Sequence, residues 1–522
     1  MTQPPKLCSA EQSLLGPMRE VWKLAWPSVI TMGSYTVMQF MDSLLVAQVG
    51  PTELAAQGNG AMTSWLSISF AFGLMTVINT YVAQYLGARN VTAGVSYGWA
   101  GIWIAIIYWL IFLVPVAVII PRVFMLIGHE GSMLEWETSY ARILLLGGFI
   151  TLSSKALHHF FFGMHRPKIV TVSALVGNIT NVVMSYCLIF GEQGMPALGL
   201  PGIPGLAPMG VMGAAIGTLI GTSLEMLIPL AIFLGPRCNR LYGTRANWRP
   251  RIEPIRRILR IGWPASVTMF NESLCWWLFM TVLIGSFGES DLVAAWIAVR
   301  YLHLSFMPAL GFNVAATSLV GRYIGSNQFD LAVGRARLCV VLAVSWTVGC
   351  AVAFLLFRYE FLEFFLVKSD IEPGQMEKIL QVGSRMMIAT AIFLAFDGIG
   401  IVYNGALRGA GDTRWPGIVT IILSWLLLIG LGAFMVRFVH SLGSIGPWIA
   451  AASFLIVLAL ALMWRFESGG WKSIRLLDED SEAMLQSFPP GPTPPDMEAV
   501  VLAQDMAERP HDEPGAGGSS SP

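Results

Sequence analysis

Long apolar segments alternate with short polar loops along most of the chain, which predicts a bundle of membrane-spanning helices. A spanning helix needs about 20 mostly apolar residues, because each adds about 1.5 Å across a hydrocarbon core about 30 Å thick. Helices are expected rather than strands, since an open sheet would leave unpaired backbone groups in lipid. Twelve segments meet this length, near residues 22–46, 55–82, 93–119, 137–163, 167–190, 207–234, 262–286, 293–322, 336–357, 381–406, 416–437 and 444–466.

Composition agrees with this pattern. The chain has 522 residues, of which 55% are hydrophobic and 12% charged, whereas a soluble domain carries about 25% charged residues. The net charge is zero, so a nucleic-acid partner is not expected. The six cysteines form no CxxC pair and are expected to be small buried hydrophobes without a disulfide or metal site: Cys8, Cys187, Cys238, Cys275, Cys339 and Cys350.

Arginines are concentrated in the loop after the sixth span. The segment "GPRCNRLYGTRANWRPRIEPIRRILR" holds eight of them, and this excess predicts a cytoplasmic location for that loop and for both termini. The loop after the ninth span is an exception on the opposite side, because it keeps Arg358, Lys368 and Lys378. The tail beyond about residue 478 is rich in Pro, Gly, Ser and acidic residues and is expected to be disordered.

Three short patterns in the first half of the chain return in the second half. "KLAWPSV" at 23–29 returns as "RIGWPASV" within 260–267, and "PKIVT" at 167–171 returns as "PGIVT" at 416–420. A fourteen-residue step separates Gly73 from Gly87, and the same step separates Gly311 from Gly325. Six spans per half predict two lobes related by an axis along the membrane normal.

Four motifs resemble those of the MATE multidrug and toxin extrusion transporters, in the NorM-like branch. They are "FMDSLLVAQVGPTELAA", "NVVMSYCLIFG", "GVMGAAIGT" and "GALRGAGDTRWP", and the resemblance covers about residues 15 to 470. It implies an all-α polytopic membrane protein with twelve transmembrane helices in two pseudo-symmetric six-helix lobes. The predicted parts are an N-terminal segment 1–21, lobes 22–234 and 262–466, an Arg-rich loop 235–261 and a tail 467–522.

The function that the resemblance implies is multidrug efflux by antiport. The transporter would export organic cations in exchange for H+ or Na+, as a monomer in a bacterial inner membrane. We expect no catalytic residue and no cofactor beyond the coupling ion. Two alternatives stay open: a flippase for lipid-linked oligosaccharides from the same superfamily, and a polytopic membrane enzyme.

Four carboxylates lie well inside predicted spans: Asp42, Glu225, Glu272 and Asp397. A charged group at bilayer depth is costly and is a functional-site hypothesis by default. In a low dielectric a carboxylate is satisfied by a proton, by Na+ or by an organic cation. These three compete for the same group, and this competition is antiport in its simplest form.

The resemblance assigns these acids to two sites. In the first lobe, the positions that match Asp42, Asn181, Ala214 and Thr218 form a monovalent-cation site, a candidate for Na+ because all its donors are oxygen or amide groups.

In the second lobe, the positions that match Glu272 and Asp397 form a cation site. Phe393 stands where a Tyr is expected in this branch, which removes an oxygen ligand and favours H+ there.

Further residues are candidates to line the cavity. Lys155, His158 and His159 share one face of the fourth span toward its cytoplasmic end, so they are expected to snorkel. Arg300 lies deeper and is a candidate partner for Glu272. The complete set of candidate cavity residues is Gln39, Glu225, Trp276, Trp277, Arg300, His303 and Phe393.

Overall fold

The computed structural model describes residues 15–195, 201–366 and 373–477, which form helices and turns without any β-strand. The predicted disordered tail beyond residue 478, Cys8 and Lys368 lie outside the described residues. The helices are α1 (Leu15–Ala47), α2 (Pro51–Gly87), α3 (Val91–Tyr108), α4 (Val114–Ile127), α5 (Gly131–Leu146), α6 (Gly148–Gly163), α7 (Pro167–Phe190), α8 (Gly210–Leu234), α9 (Pro236–Tyr242), α10 (Ile252–Leu278), α11 (Glu289–Gly325), α12 (Phe329–Leu356), α13 (Arg358–Leu366), α14 (Pro373–Gly409), α15 (Arg414–Leu423), α16 (Gly432–Phe438) and α17 (Ile445–Glu467).

Most of these helices are long enough to cross a membrane. Among the described residues, ten helical segments meet the length and apolarity needed, and α5 with α6 forms an eleventh span bent by 46°. Each of the twelve predicted spans overlaps described helical residues, with only a few residues such as 207–209, Phe357 and Ser444 outside a helix, and the first span lies in α1. The polytopic all-α prediction is therefore confirmed, while the count of twelve spans stays a prediction.

Three spans contain a π-helical stretch, at Trp109–Leu113, Phe279–Ile284 and Ser424–Leu431. Such a stretch inserts an extra residue into the helical ladder and frequently accompanies functional sites.

Each half of the chain has its own hydrophobic core. The first core is built mainly from α2 to α8, around Tyr81, Phe161 and Phe233. The second core is built from α10 to α17, around Phe279 and Trp448. Because apolar contacts concentrate within each half, the halves form two lobes, as the repeated patterns predict.

The repeated patterns meet each other across the boundary between the lobes. A Cβ at Gly73 on α2 would lie 2.5 Å from Ser266 Cα on α10. A Cβ at Gly311 on α11 would lie 2.5 Å from the backbone nitrogen of Val29 on α1. Ser266 and Val29 both stand two residues after the proline of the repeated Trp-Pro pattern. The contacts are thus reciprocal, as a two-fold relation between the lobes requires, and only glycine permits such close backbones.

We call this contact the inter-lobe seam, defined by Gly73, Gly87, Gly311 and Gly325. Gly87 and Gly325 end α2 and α11, and α8 ends on the same side, just before the arginine-bearing loop. We call this the Arg-rich side of the bundle. Both glycines pack directly on backbone of the opposite lobe, so the lobes are closed against each other on the Arg-rich side.

Hydrogen bonds reinforce the seam. Thr80 Oγ1 donates to the Arg408 carbonyl oxygen at 2.9 Å, and Gln84 Nε2 donates to the Gly409 carbonyl oxygen at 3.0 Å. In the other direction, Ser318 Oγ donates to Asn79 Oδ1 at 3.0 Å. Polar side chains buried at a helix contact need such partners, and here each partner belongs to the opposite lobe.

Candidate functional site

Asp42, Asn181 and Thr218 meet inside the first lobe, although they come from three different helices. Asn181 Nδ2 on α7 donates to Asp42 Oδ2 on α1 at 3.3 Å and to Thr218 Oγ1 on α8 at 3.1 Å. The Thr218 hydroxyl lies within hydrogen-bond distance of two acceptors, Asp42 Oδ2 at 3.4 Å and the Ala214 carbonyl oxygen at 3.0 Å, and donates its one hydrogen to either of them. The four residues that the resemblance assigns to the first-lobe site are therefore in one place.

Several oxygen atoms of this site have no hydrogen-bond partner within the described ranges. They are Asp42 Oδ1, Asn181 Oδ1 and Ser185 Oγ, all buried. A carboxylate, an amide oxygen and a hydroxyl are hard donors that suit Na+, and the carboxylate equally accepts a proton. The donor set thus fits a monovalent cation.

Glycines on α8 bring it close enough to α7 to build the site. A Cβ at Gly217 would lie 2.5 Å from Ser185 Oγ, and one at Gly221 would lie 2.6 Å from the Gly177 carbonyl oxygen. Gly213, Gly217 and Gly221 follow at intervals of four residues, so they form one stripe along the helix. Ser185 also lies beside the Asp42 carboxyl. Ser185 is not among the residues that the motifs indicate, although its position one turn after Asn181 is a usable signal.

Glu272 on α10 and Asp397 on α14 lie close enough to interact electrostatically in the second lobe. Asp397 is buried, and neither carboxylate has a hydrogen-bond or salt-bridge partner in the described part of the chain. The Arg408 guanidinium also interacts electrostatically with Glu272, which the sequence did not indicate. Two carboxylates within electrostatic range of each other, neither bonded to a basic group in the described part of the chain, favour sharing one proton or one cation.

The side chain of Asn271 joins α10 to the π-helical stretch beside this site. Asn271 Nδ2 donates to Ser424 Oγ at 2.8 Å, and Trp425 Nε1 donates to Asn271 Oδ1 at 2.8 Å. These bonds fix the part of α10 that carries Glu272.

The remaining candidate cavity residues occupy different environments. Gln39, Trp277 and Arg300 are exposed, and the pairing of Arg300 with Glu272 stays a prediction. His303 is also exposed on α11.

Two aromatic candidates pack within the second lobe. Trp276 packs edge-to-face on Phe279 with ring centroids 5.4 Å apart. Phe393 is fully buried in the second core, so its ring is a packing group in this conformation.

Lys155 does not snorkel, contrary to the expectation from its position in the span. Its Nζ donates to Glu225 Oε1 at 2.9 Å and to the Tyr35 hydroxyl at 2.7 Å. The reason is a tertiary one, because Glu225 on α8 offers the ammonium a counter-ion inside the lobe. Glu225, the fourth intramembrane acid, is thereby paired, in contrast to Asp42, Glu272 and Asp397.

Comparisons with known proteins agree with this architecture. The family model described as MatE matches residues 27–187 and 264–434. A probable multidrug resistance protein NorM of Pseudomonas putida is 27% identical over 469 residues, which cover 88% of this chain and 96% of that relative. A protein of the same description from Synechococcus is 25% identical over 462 residues, which cover 87% of this chain and 95% of the relative.

Solved transporters share the fold. A MOP superfamily transporter from Pyrococcus furiosus, described by a reverse polarity of its binding pocket, gives a TM-score of 0.78 at 22% identity, with 88% of this chain and 97% of that chain covered. An outward-facing multidrug resistance MATE family transporter gives a TM-score of 0.77 at 21% identity, with 88% and 97% covered. These likenesses extend over both lobes.

Proposed function

Because this chain belongs to the MatE family, we propose that it is a secondary active multidrug exporter that expels organic cations in exchange for incoming H+ or Na+. The description of its relatives as multidrug resistance proteins supports the substrate class. The observation that carries the proposal is the first-lobe site. There Asp42 has only neutral partners, and one of its oxygens is buried without any.

Exchange follows from the chemistry of the unpaired acids. Asp42 in one lobe, and Glu272 with Asp397 in the other, lack a fixed cation bonded to them, so each site is satisfied by a mobile one. An organic cation and the coupling ion then exclude each other from the same carboxylates. Entry of H+ or Na+ from one side promotes release of the organic cation to that side.

Alternating access depends on the inter-lobe seam. The lobes are closed on the Arg-rich side, so we infer that the space between them is reached from the opposite side in this conformation. We infer that the Arg-rich side is cytoplasmic, because eight arginines lie within residues 235–261, from the end of α8 to the first turns of α10. The described conformation is then outward-facing, in a protein that we propose acts as a monomer in the plasma membrane.

The orientation is tested with single cysteines in a cysteine-free background. Gln193→Cys should react with a membrane-impermeant maleimide added outside intact cells, and Arg245→Cys should react only after the membrane is permeabilised. Labelling of Gln193→Cys only from the inner face would overturn the topology.

The transport function is tested with ethidium efflux from loaded proteoliposomes. An H+ gradient and a Na+ gradient are imposed separately across vesicles that contain the purified protein. We expect the H+ gradient to suffice, because Phe393 offers no oxygen ligand to Na+ in the second lobe. Efflux that responds to neither gradient would contradict the proposal.

A further inference from the structure

Tyr35, Lys155 and Glu225 form a second polar cluster in the first lobe. Lys155 Nζ lies 2.9 Å from Glu225 Oε1 and 4.2 Å from the centroid of the Tyr35 ring. The Tyr35 hydroxyl donates to the same carboxylate oxygen and accepts from Lys155 Nζ at 2.7 Å. His158 Nδ1 lies 3.5 Å from this oxygen. The cluster therefore joins α1, α6 and α8 around one carboxylate.

The cluster repeats the first-lobe site one layer closer to the Arg-rich side. Tyr35 precedes Asp42 by seven residues on α1, and Glu225 follows Thr218 by seven residues on α8. Seven residues are two helical turns, or about 10.5 Å, so each pair lies on the same face of its helix. α1 starts and α8 ends on the Arg-rich side, so both steps lead in the same direction.

The close approach of α7 and α8 extends to this layer. A Cβ at Gly177 would lie 2.9 Å from Glu225 Cβ, so glycine is needed for Glu225 to stand where it does. The next residue of α7, Asn178, donates from Nδ2 to Ser34 Oγ on α1 at 2.8 Å. Glu225 and Tyr35 thus lie where α7 packs closely on α8 and is hydrogen-bonded to α1, as Asp42 does.

The Lys155 ammonium occupies what is in chemical terms a cation site. A carboxylate and the face of an aromatic ring are the groups that recognise ammonium cations in proteins. Glu225 provides a buried carboxylate, and the Tyr35 ring lies beside it; the Lys155 ammonium itself meets Tyr35 at the hydroxyl, at 2.7 Å, with the ring centroid 4.2 Å away. The ammonium is held by a flexible four-carbon stem, and 16% of the Lys155 side chain remains exposed, so it can withdraw without unfolding α6.

We propose that Glu225 and Tyr35 form a second cation site of the first lobe, which binds an alkylammonium group in exchange with the side chain of Lys155. The inference rests on the proposed export of organic cations and adds a site to it. Lys155 acts as a tethered competitor that returns to Glu225 when the bound cation leaves. The carboxylate is then never left unpaired inside the lobe, which would be costly.

The first experiment measures binding of tetramethylammonium to the purified protein in detergent, through the midpoint of thermal unfolding. Lys155→Met keeps the length of the side chain and removes the tethered charge. We expect tetramethylammonium to stabilise Lys155→Met with an apparent affinity at least ten-fold tighter than that of the wild type, and potassium chloride at equal ionic strength to have no such effect. The matched control Lys155→Met/Glu225→Gln should lose the gain. If both salts stabilise Lys155→Met equally, the pair is purely structural and the proposal is wrong.

The second experiment uses the wild-type chain, in case Lys155→Met does not fold. Acetic anhydride modifies lysine amines, and mass spectrometry reports the extent at each residue. Modification of Lys155 should rise saturably with tetramethylammonium, while the exposed Lys472 stays constant. A Lys155 reactivity that does not change would overturn the exchange.

Both readouts are independent of ion gradients. Failure of ethidium efflux with a positive binding result would therefore refute the transport function and leave the Glu225 site standing. Efflux without any effect at Lys155 would refute only the second site.

Discussion

The closeness of the inter-lobe seam makes glycine-to-alanine substitutions a direct test of its role. A Cβ at Gly73 or at Gly311 would lie 2.5 Å from backbone of the opposite lobe, whereas ordinary van der Waals contact begins at 3.4 Å. The lobes must therefore separate by about 0.9 Å at each position to accept one methyl group. Because backbone on both sides is helical, the separation cannot be absorbed by a side-chain rotation.

The energetic effect can be bounded. Forcing an extra methyl group into a packed contact costs about 1–3 kcal/mol. The methyl group destabilises the closed state, in which the lobes touch at the seam, but not a state in which the lobes are apart. The equilibrium between the two states then shifts by about 5- to 150-fold toward the open state. Replacing glycine by alanine inside a helix also stabilises that helix by up to about 1 kcal/mol, independently of any contact between the lobes. Gly334→Ala measures this gain alone, because nothing lies within 4 Å of a Cβ at Gly334.

The shift is measured as a distance distribution between two spin labels. Ala88→Cys and Gln328→Cys place them at exposed positions after α2 and before α12, on opposite lobes. We expect a longer-distance population in Gly73→Ala and in Gly311→Ala, a larger one in the double variant, and none in Gly334→Ala. If the double variant kept the wild-type distribution and wild-type efflux, the seam would not be the closed gate that we describe.

Three further predictions concern titratable groups. Asp42→Asn should remain folded and lose cation-driven efflux in proteoliposomes, since an amide cannot exchange a proton or Na+ as a carboxylate does; wild-type transport would contradict this. Binding of a fluorescent organic cation in detergent should weaken from pH 9 to pH 5, because a protonated pair no longer attracts a cation, and Asp397→Asn or Glu272→Gln should remove this dependence. Normal binding and transport in both variants would mean that the pair is only structural. Burial lowers the pKa of His165, in the turn between α6 and α7, from 6.5 to about 4. The unfolded chain therefore binds the proton more readily, and the free energy of unfolding should fall by about 3 kcal/mol as pH drops from about 6.5 to about 4. Asn tolerates the positive φ of 56° at this position, so His165→Asn should fold and should make the melting midpoint depend less on pH between about 6.5 and about 4. An unchanged dependence of the midpoint on pH would show that His165 is not responsible.

The sequence by itself determined the class of the protein and indicated most residues of the candidate first-lobe site. Apolar segments of spanning length force helices, because lipid offers no partner to an unpaired backbone group. The motifs around Asp42 and Asn181 were enough for the family resemblance, and the family match bears it out. The repeated glycine spacing predicted two related lobes, since a spacing within one helix is preserved on folding.

Only the tertiary structure decided which side chains face each other. Lys155 lies at a depth typical of snorkelling, yet it turns inward because α8 presents Glu225 at the same level. Phe393 is one turn from Asp397 in sequence, yet its ring is buried in the second core. Depth along a helix follows from sequence distance at about 1.5 Å per residue, whereas contacts depend on how neighbouring helices are rotated and how closely they approach. At the seam, the distance between the helices depends on which backbone of the opposite lobe lies against each glycine. The sequence of one lobe does not specify this contact.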